Sequence, residues 1–248
     1  MTSRTGLARR SHRRTVAPRR RRTPRSPEDT VREGWNQLSL VYRPSGSGID
    51  GTGHRNRDYD SWLSPLLRGL PTGSQVLDLG CGNGDPTARR LSRRFRVTGV
   101  DNSDVQIRRA RELVPDARFR RADMTVVRFP AGAFQAVMML YSLIHVPLKK
   151  HRPLIRRIHQ WLAPGGLLLT TVGKSAWTAR ERGWLGVNAE MYWSHADADT
   201  YELWLRSVGF EILRRQFIPE GDSGHELFLV WKSVLKPPRR ERLVRTPR

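Results

Sequence analysis

The hydrophobic pattern changes near residue 75, where short apolar runs begin to alternate with longer amphipathic stretches. Runs of strand length predict strands at QVLDLG (75–80), RVTGVD (96–101), ARFRRAD (117–123), FQAVMMLYSL (134–143) and LLLTTV (167–172). Helical spacing, together with stops at Pro and Gly, predicts helices at 86–94, 104–114 and 148–162. This alternation predicts an α/β domain, a doubly wound parallel sheet with right-handed crossovers and helices on both faces.

Further elements are predicted on either side of this alternation. Before it, helical spacing over 31–43 and 58–70 flanks a loop at 45–53 that contains four glycines. After an aromatic-rich stretch at 177–193, a helix is predicted at 200–207.

The chain is predicted to end its fold with two strands, at 209–218 and 225–231. They are joined by the short link PEGDSG, which is typical of a hairpin. We therefore predict that the last strand runs antiparallel to its neighbours.

The charge is concentrated at the two ends of the 248-residue chain, whose net charge is +22. Residues 1–25 contribute +10 without a single acid, residues 236–248 contribute +5, and the rest carries +7. Because Arg repels Arg and apolar residues are scarce, we predict a disordered tail at 1–27, a solvated tail at 236–248 and a folded body at 28–235. Three interpretations of the first tail stay open: an extension without function, a non-specific contact with nucleic acid, and an organelle-targeting segment.

Composition excludes several classes of site and location. A single cysteine excludes an intramolecular disulfide, a Cys-based zinc site and a relay of two cysteines. The histidines show no metal-ligand spacing, so we predict no metal. No apolar run approaches the roughly 18 residues of a membrane span, and residues 1–27 lack the hydrophobic stretch of a secretory signal. We therefore expect a soluble protein of the cytoplasm that makes no membrane contact.

Three acids end the first three predicted strands: Asp78, Asp101 and Asp123. Asp78 opens the Gly-rich turn DLGCGNG (78–84), which lets the backbone approach a ligand. Its G-x-G-x-G spacing differs from the pyrophosphate-binding G-x-G-x-x-G, and its carboxylate suits an ammonium group. An acid after the second strand can accept from both ribose hydroxyls, and ligands of open α/β sheets bind at this edge. The pattern predicts a site for an amino-bearing nucleoside.

At this point the sequence resembles the class I S-adenosylmethionine-dependent methyltransferases, of the bacterial-like, small-molecule type. VLDLGCGNG, VTGVDNS, RADM, FQAVMMLYSLIHVP and LAPGGLLL occur in that family's order and at its usual spacing, within residues 30–232. The resemblance implies a Rossmann-like, mostly parallel seven-stranded sheet with an antiparallel last strand. It also implies S-adenosyl-L-methionine as the cofactor. Gln135 is a departure, because the family usually has an acid there.

The resemblance also implies roles for individual residues. It assigns Asp78 to the methionine ammonium side of the cofactor and Asp101 to the ribose hydroxyls. Asn102 would lie near adenine, Asp123 would accept from the adenine amino group, and Met124 would pack by the ring. The other cofactor-binding candidates are Gly80, Cys81, Gly82, Asn83, Gly84, Leu140, Tyr141 and Tyr42, the last from a lid.

Each of these residues also has a purely structural interpretation. Asp78 is a candidate cap for the following turn, Asp101 a solvated strand end, and Asp123 a turn former. For Cys81 the structural interpretation, a small packing residue, is favoured over a nucleophile. A nucleophilic thiol would need a base, and none lies beside Cys81 in sequence. The lid would comprise the helical segment 28–72.

The acceptor side is indicated by two histidines and a group of aromatic residues. Methyl transfer from a sulfonium is an in-line displacement in which alignment supplies much of the rate, so a base is optional. His145 and His195 are candidate bases for a hydroxyl or protonated amine. Hydrogen bonding within the fold is the alternative for His145, and a helix start is the alternative for His195. The predicted acceptor-site insert, 177–198, contains residues that either line an apolar or cationic acceptor pocket or form a satellite core: Trp177, Trp184, Met191, Tyr192 and Trp193.

We expect methyl transfer to a small-molecule acceptor. The segment 140–145 lacks both the Asn/Asp-Pro-Pro-aromatic motif of nucleic-acid amino methylases and the thiol of Cys-dependent RNA methylases. The basic tails keep an RNA or protein methyltransferase as an alternative. A non-catalytic S-adenosylmethionine-binding protein is a second alternative, since the three acids indicate binding and not turnover.

Overall fold

Nine strands occur in residues 25–233, the part of the chain that this computed structural model describes. They are β1 (Gln75–Leu79), β2 (Arg96–Asp101), β3 (Arg118–Arg121), β4 (Phe134–Met139), β5 (Leu162–Gly173), β6 (Trp177–Arg182), β7 (Glu190–His195), β8 (Phe210–Glu220) and β9 (Ser223–Lys232). Seven of them form one sheet in the order β3-β2-β1-β4-β5-β9-β8, and β6 and β7 form a separate hairpin.

The sheet is mostly parallel, as the sequence predicts. The pairs of β1 with β2 and β4, of β2 with β3 and of β4 with β5 are parallel. The last strand, β9, is antiparallel to both β5 and β8. From β1 the sheet grows in one direction through β2 and β3 and in the other through β4 and β5, so the strand order reverses beside β1. Open α/β sheets bind ligands at such a switch point.

Six α-helices accompany these strands in the described part of the chain. They are α1 (Pro27–Tyr42), α2 (Asn56–Gly69), α3 (Thr87–Leu91), α4 (Asp104–Leu113), α5 (His151–Trp161) and α6 (Ala198–Val208). The apolar residues of α2, α3 and α4 pack together in one buried cluster, and those of α5 and α6 pack in another.

The central strand β4 shows how both faces of the sheet are covered. Val137 and Met139 belong to the cluster with α5 and α6, whereas Ala136 and Met138 belong to the cluster with α2, α3 and α4. All four side chains are fully buried. Because successive side chains of a strand point to opposite faces, a continuous apolar run of this kind is what a sheet with helices on both faces requires.

Several predicted elements are shorter in the structure, and two of them show why. The helix predicted at 86–94 is only α3, and the strand predicted at 134–143 ends at Met139. Beyond that strand, Tyr141 has a positive φ of 53° and the hydroxyl of Ser142 donates to the carbonyl of Leu79 (2.6 Å). These contacts turn the chain across the end of β1 and start a 3₁₀ turn at Leu143–His145.

The aromatic-rich stretch forms the β6–β7 hairpin, which the sequence did not predict as strands. The hairpin packs on α1, where Gly34 faces Met191 with no room for a side chain. The buried cluster at this contact contains Leu38, Ile144, Met191 and Trp193. The hairpin and α1 thus cover the region beyond the end of β4.

The described residues begin inside the first predicted tail. Arg25 and Ser26 contact the fold, and the Ser26 hydroxyl accepts from the backbone N–H of Asp29 (3.1 Å) to cap α1. Residues 1–24 and the predicted tail 236–248 lie outside the described residues. No helix in residues 25–233 has the length and apolar character that a membrane crossing requires.

Candidate active site

The Gly-rich turn after β1 is packed too closely for side chains at two of its glycines. Gly80 has φ 77°, and a Cβ there would lie 2.2 Å from the Cβ of Ser142. Gly84 has φ 78°, and a Cβ there would lie 3.1 Å from the ring of Phe119. The N–H groups of Gly80 and Cys81 both donate to the carbonyl of Val100 (2.7 and 3.1 Å), which ties the turn to β2. The backbone of the turn is therefore left bare at the carboxyl edge of the sheet.

Asp101, at the end of β2, is held by two backbone groups. Its carboxylate accepts from the N–H of Gly82 (3.0 Å) and from the N–H of Ser103 (2.8 Å). Burial raises the pKa of Asp101, and these two hydrogen bonds partly oppose the rise. The carboxylate is fixed against the Gly-rich turn, so Asp101 is more than a solvated strand end.

Asp78 is the most deeply buried of the three acids, with 2% of its surface exposed. Its carboxylate accepts from the hydroxyl of Thr87 at the start of α3 (2.9 Å). Burial raises the pKa of Asp78 to about 7, the Thr87 hydrogen bond opposes the rise, and the nearby Asp101 adds to it. A buried carboxylate that accepts only one hydrogen bond is poorly stabilised in its charged form, so a cationic ligand group beside it would be favourable.

Asp123 follows β3 and does form a turn. Its carboxylate accepts from the N–H of Thr125 (2.7 Å) and from the Thr125 hydroxyl (2.8 Å). Asp123 nevertheless lines the same cleft as Asp78 and Asp101, and so does Met124. The turn-forming interpretation and the ligand-contact interpretation are compatible at this residue.

One cleft brings together nearly all the residues predicted to bind the cofactor. The predicted residues that line it are Tyr42, Asp78, Gly80, Cys81, Gly82, Asn83, Asp101, Asn102, Asp123, Met124, Leu140 and Tyr141. Gly84 does not line the cleft, because it faces Phe119 and Val114 behind the turn. Cys81 is buried and its thiol pKa is raised by burial, which agrees with a packing role. The lining residues that the sequence analysis missed include Trp35, Arg43, Tyr59, Thr87 and Gln106.

The chain between α1 and α2 is anchored beside the cleft by Asp50. The buried Asp50 carboxylate accepts from Arg43 Nη2 (3.1 Å) and from the Tyr59 hydroxyl (2.7 Å), and the Tyr42 hydroxyl lies 3.5 Å away. Tyr42, Arg43 and Tyr59 all line the cleft. Of the lid predicted at 28–72, α1, Arg43 and Tyr59 of α2 border the cleft, while the other apolar residues of α2 are part of the core.

A second cavity of about 530 Å³ adjoins the cleft. Four residues line both spaces: Trp35, Tyr42, Tyr141 and His145. The β6–β7 hairpin contributes further walls through Trp177, Trp193 and His195. The rings of Trp35, Trp184 and Trp193 meet edge to face, at centroid distances of 5.9 Å and 5.1 Å from Trp184. Trp193 also belongs to the buried cluster on α1, so the aromatic residues form both a cavity wall and a small core.

His145 lies where the cleft and the cavity meet. Its Nδ1 is 3.0 Å from the carbonyl of Tyr192. Because a carbonyl can only accept, Nδ1 carries the hydrogen and donates it to this oxygen. No hydrogen bond to Nε2 occurs among the described residues. Burial lowers the pKa of His145 to about 4, so its ring is neutral at pH 7 and Nε2 carries a lone pair.

His195 ends β7 and lines the cavity, but not the cleft. Its ring packs on Gly173, where a Cβ would lie 2.0 Å from Nδ1, and its Nδ1 lies 3.3 Å from the carbonyl of Ala196. Burial lowers the pKa of His195. The helix start that the sequence suggested for this run is present, because Asp197 caps α6 by accepting from the N–H of Thr200 (2.8 Å).

Comparison with known proteins identifies the domain that forms this cleft. Residues 76–166 match the family described as a methyltransferase domain. The chain therefore contains a methyltransferase domain. The match spans β1 to the start of β5 and includes Asp78, Asp101 and Asp123.

Two of the curated relatives are named for small-molecule substrates. The chain is 35% identical over 148 residues to trans-aconitate 2-methyltransferase of Variovorax paradoxus, covering 56% of this chain and 55% of that protein. It is 36% identical over 106 residues to 27-O-demethylrifamycin SV methyltransferase of Amycolatopsis mediterranei, covering 40% and 38%. The chain thus spans about half the length of the trans-aconitate relative, or less for the rifamycin relative.

Solved structures share the fold over more of the chain. Magnesium protoporphyrin IX methyltransferase of Synechocystis PCC 6803 with bound SAM has a TM-score of 0.65 at 18% identity, covering 86% of this chain and all of that one. The [4+2]-cyclase SpnF has a TM-score of 0.63 at 22% identity, covering 82% and 95%. At these identities the likeness shows the fold alone, and the fold is shared by more than one activity.

S-adenosylmethionine is the cofactor of this methyltransferase domain, and the cleft fits it. Gly80 and Gly82 line the cleft with backbone alone, the fixed Asp101 carboxylate can accept from hydroxyls, and the buried Asp78 suits an ammonium group. We found no group of His, Cys, Asp and Glu side chains arranged to hold a metal ion within residues 25–233.

Proposed function

We propose that this chain transfers a methyl group from S-adenosylmethionine to a small-molecule acceptor bound in the cavity lined by the β6–β7 hairpin. The observation that carries the proposal is that the two spaces adjoin, since Trp35, Tyr42, Tyr141 and His145 line both of them. A transfer between two bound molecules needs such a junction, because the reacting atoms must approach to about 3–3.5 Å in line. The small-molecule relatives support the same acceptor class.

The bound cofactor would supply an electrophilic methyl group on its sulfonium. Orientation is the main task of the protein in such a displacement. Asp101 and the Gly-rich turn would hold the nucleoside part, and Asp78 would hold the ammonium end. Trp35 and Tyr42, at an edge-to-face centroid distance of 4.9 Å, would fix the acceptor at the junction and exclude water from it.

His145 is the best-placed base for a hydroxyl acceptor. Its Nδ1 is engaged by the Tyr192 carbonyl, which leaves Nε2 to accept a proton at the junction. Its low pKa keeps the ring in the accepting, neutral form throughout the physiological pH range. His195 lines the deeper part of the cavity and would orient the acceptor there.

The proposal is tested with methyl-labelled S-adenosylmethionine, the full chain, and a cell extract divided into small-molecule, RNA and protein fractions. We expect label in the small-molecule fraction. Label confined to RNA or to protein would contradict the proposal in favour of a macromolecular acceptor. Binding of S-adenosylhomocysteine without turnover in any fraction would instead indicate a non-catalytic cofactor-binding protein.

The role of His145 is tested by His145→Gln, which retains a polar side chain but no base. We expect turnover to fall about 10²-fold or more, while the Kd for S-adenosylhomocysteine changes by less than about threefold. The control is His159→Gln, in α5, because His159 lines neither the cleft nor the cavity. Unchanged turnover in His145→Gln would exclude His145 as the base.

A further inference from the structure

The cavity beyond the junction contains polar atoms that the protein itself leaves unpaired. Among the described residues, the indole N–H of Trp193, Nδ1 of His225 and Oε1 of Glu220 are buried without a hydrogen-bond partner. All three side chains line the cavity. Nδ1 of His225 and Oε1 of Glu220 are 3.2 Å apart, but the pair lacks hydrogen-bond geometry. Unpaired buried polar atoms are costly, so a ligand that pairs them would gain affinity.

The charge around these atoms is unfavourable for an anionic acceptor. Burial raises the pKa of Glu220, but His225, Tyr141 and His54, whose Nε2 lies 3.5 Å from Glu220 Oε1, together lower it below its ordinary value. Glu220 is therefore ionised near neutral pH. Lys174 is the sole Lys or Arg among the described residues that line the cavity, and its Nζ lies over the Phe217 ring at 4.5 Å. No arginine lines the cavity to bind a carboxylate in the bidentate way that carboxylate recognition favours.

The walls of the cavity select for shape. Trp177 and Trp193 are stacked at 27° with centroids 5.9 Å apart, and Trp184 stands edge-on to Trp193. Flat aromatic walls of this kind favour flat apolar ligands through area burial and ring stacking. The volume of about 530 Å³ lies within the range of roughly 300–1,000 Å³ that ligand pockets occupy. This leaves space for a multi-ring molecule.

Hydrogen-bond complementarity then limits which polar group the ligand can carry. A hydroxyl both donates and accepts, so it can donate to the Glu220 carboxylate and still accept from a donor such as the indole N–H of Trp193. A carboxylate can only accept and would meet Glu220 with like charge. An ammonium can only donate and would leave the indole N–H of Trp193 unpaired.

We propose that the acceptor is a planar aromatic molecule that carries a hydroxyl and no carboxylate, and that Glu220 is the residue that selects for the hydroxyl. This inference rests on the proposed function, since it names the acceptor class of the same cavity. It separates this chain from its trans-aconitate relatives, whose named substrate is a tricarboxylic acid. Glu220 acts as a specificity residue, distinct from the base at the junction.

Three probes test the inference on the full chain loaded with S-adenosylhomocysteine: 2-naphthol, 2-naphthoate and trans-aconitate, each titrated calorimetrically. We expect 2-naphthol to bind at least about tenfold more tightly than either carboxylate. Tighter binding of 2-naphthoate or trans-aconitate would overturn the inference. No binding of 2-naphthol to the loaded protein would also overturn it, and would leave the cofactor site intact.

The role of Glu220 is tested by Glu220→Gln, which keeps the shape of the side chain and removes its charge. We expect 2-naphthol affinity to fall about tenfold and the preference over 2-naphthoate to narrow, because a charge-assisted hydrogen bond and a repulsion are both lost. The matched control is Glu211→Gln, on the same strand β8 but exposed and outside the cavity. Equal effects in the two variants, or none in Glu220→Gln, would overturn the role of Glu220.

The cofactor titration keeps the two hypotheses distinguishable. We expect S-adenosylhomocysteine to bind wild type, Glu220→Gln and Glu211→Gln with the same Kd, because Glu220 does not line the cofactor cleft. If the folded wild type does not bind it, the proposed function fails and the acceptor inference fails with it. If it binds and 2-naphthol does not, only the acceptor inference fails.

Discussion

Three carboxylates end neighbouring strands, but their surroundings give them different electrostatics. Asp101 accepts from two backbone N–H groups, and Asp123 accepts from the N–H and hydroxyl of Thr125. Asp78 has only the hydroxyl of Thr87 and is almost fully buried. Its pKa of about 7 follows from burial with one compensating hydrogen bond. Asp78 is therefore the acid whose ionisation depends most on a cationic ligand group.

This difference predicts that cofactor affinity depends on pH through Asp78. An ammonium favours the ionised carboxylate, so binding of S-adenosylhomocysteine should release protons near pH 7 and weaken as pH falls. We expect affinity at pH 6 to be about tenfold lower than at pH 8, measured calorimetrically in two buffers of different ionisation enthalpy. Asp78→Asn should bind weakly at both pH values, whereas Asp116→Asn, an exposed control, should retain the dependence. A flat profile in the wild type would contradict the assignment.

The same pKa has an opposite consequence for the unliganded protein. The folded pKa of Asp78 is raised above its unfolded value near 4, so the folded state binds more protons between about pH 4 and 7. The contribution of Asp78 to the free energy of unfolding is therefore fully present below about pH 4 and is lost as pH rises to about 7. Asp78→Asn should therefore raise Tm at pH 8 in the absence of ligand. The acid would be kept for binding at the expense of stability.

Residue types alone located the cofactor cleft better than the acceptor cavity. Asp78, Asp101 and Asp123 could be predicted because parallel strands bring their carboxyl ends to one edge. Glu220 and His225 could not, because the antiparallel pairing of β8 with β9 carries them to the cavity from the far end of the chain. The role of His145 at the junction depends on its contact with the Tyr192 carbonyl, which no local pattern contains.

At the scale of elements, prediction succeeded where the pattern was local. The strands of the sheet follow from their apolar runs, and the antiparallel β9 follows from a hairpin link. The β6–β7 hairpin was missed because its aromatic residues pack against a distant helix, α1, and not within one local period. Helix α3 is shorter than predicted mainly at its C-terminal end, where the N–H groups of Arg94 and Phe95 both donate to the carbonyl of Leu91 (3.0 and 2.8 Å) in a turn that leads into β2.

The contact between α1 and the hairpin predicts an unusual effect of an alanine in a helix. At Gly34, a Cβ would lie 2.3 Å from the sulfur of Met191 and 2.8 Å from the carbonyl of Glu190. Alanine would gain about 1 kcal/mol in helix propensity but cost about 1–3 kcal/mol in overpacking. We expect Gly34→Ala to lower Tm by about 2–4 °C, measured by calorimetry.

Gly69→Ala is the matched control for this change, because Gly69 ends α2 and has no atom within 4 Å of the added Cβ. We expect its Tm to be unchanged or slightly raised. If Gly34→Ala were as stable as Gly69→Ala, the hairpin would not be held on α1 by this close approach. The cover of the acceptor cavity would then need another explanation.

At the scale of the whole molecule, one edge of one sheet carries both the cleft and the cavity in which we propose that cofactor and acceptor bind. The basic segments that dominate the net charge lie mostly outside residues 25–233. The described N-terminal residues do contact the fold, since Arg180 Nη2 donates to the carbonyl of Arg25 (2.9 Å). We therefore expect removal of residues 1–24, with Arg25 retained, to leave the cleft intact. Any binding of RNA by the tails should be lost at moderate salt.

The measurement that tests the central claim most directly is calorimetric titration of S-adenosylhomocysteine into the full chain and into Asp101→Ala. We predict micromolar binding that weakens at least about tenfold in Asp101→Ala, is unchanged in the exposed control Asp116→Ala, and changes by less than about twofold without residues 1–24. Unchanged affinity in folded Asp101→Ala, or no binding by the folded full chain, would contradict the account of the cofactor site.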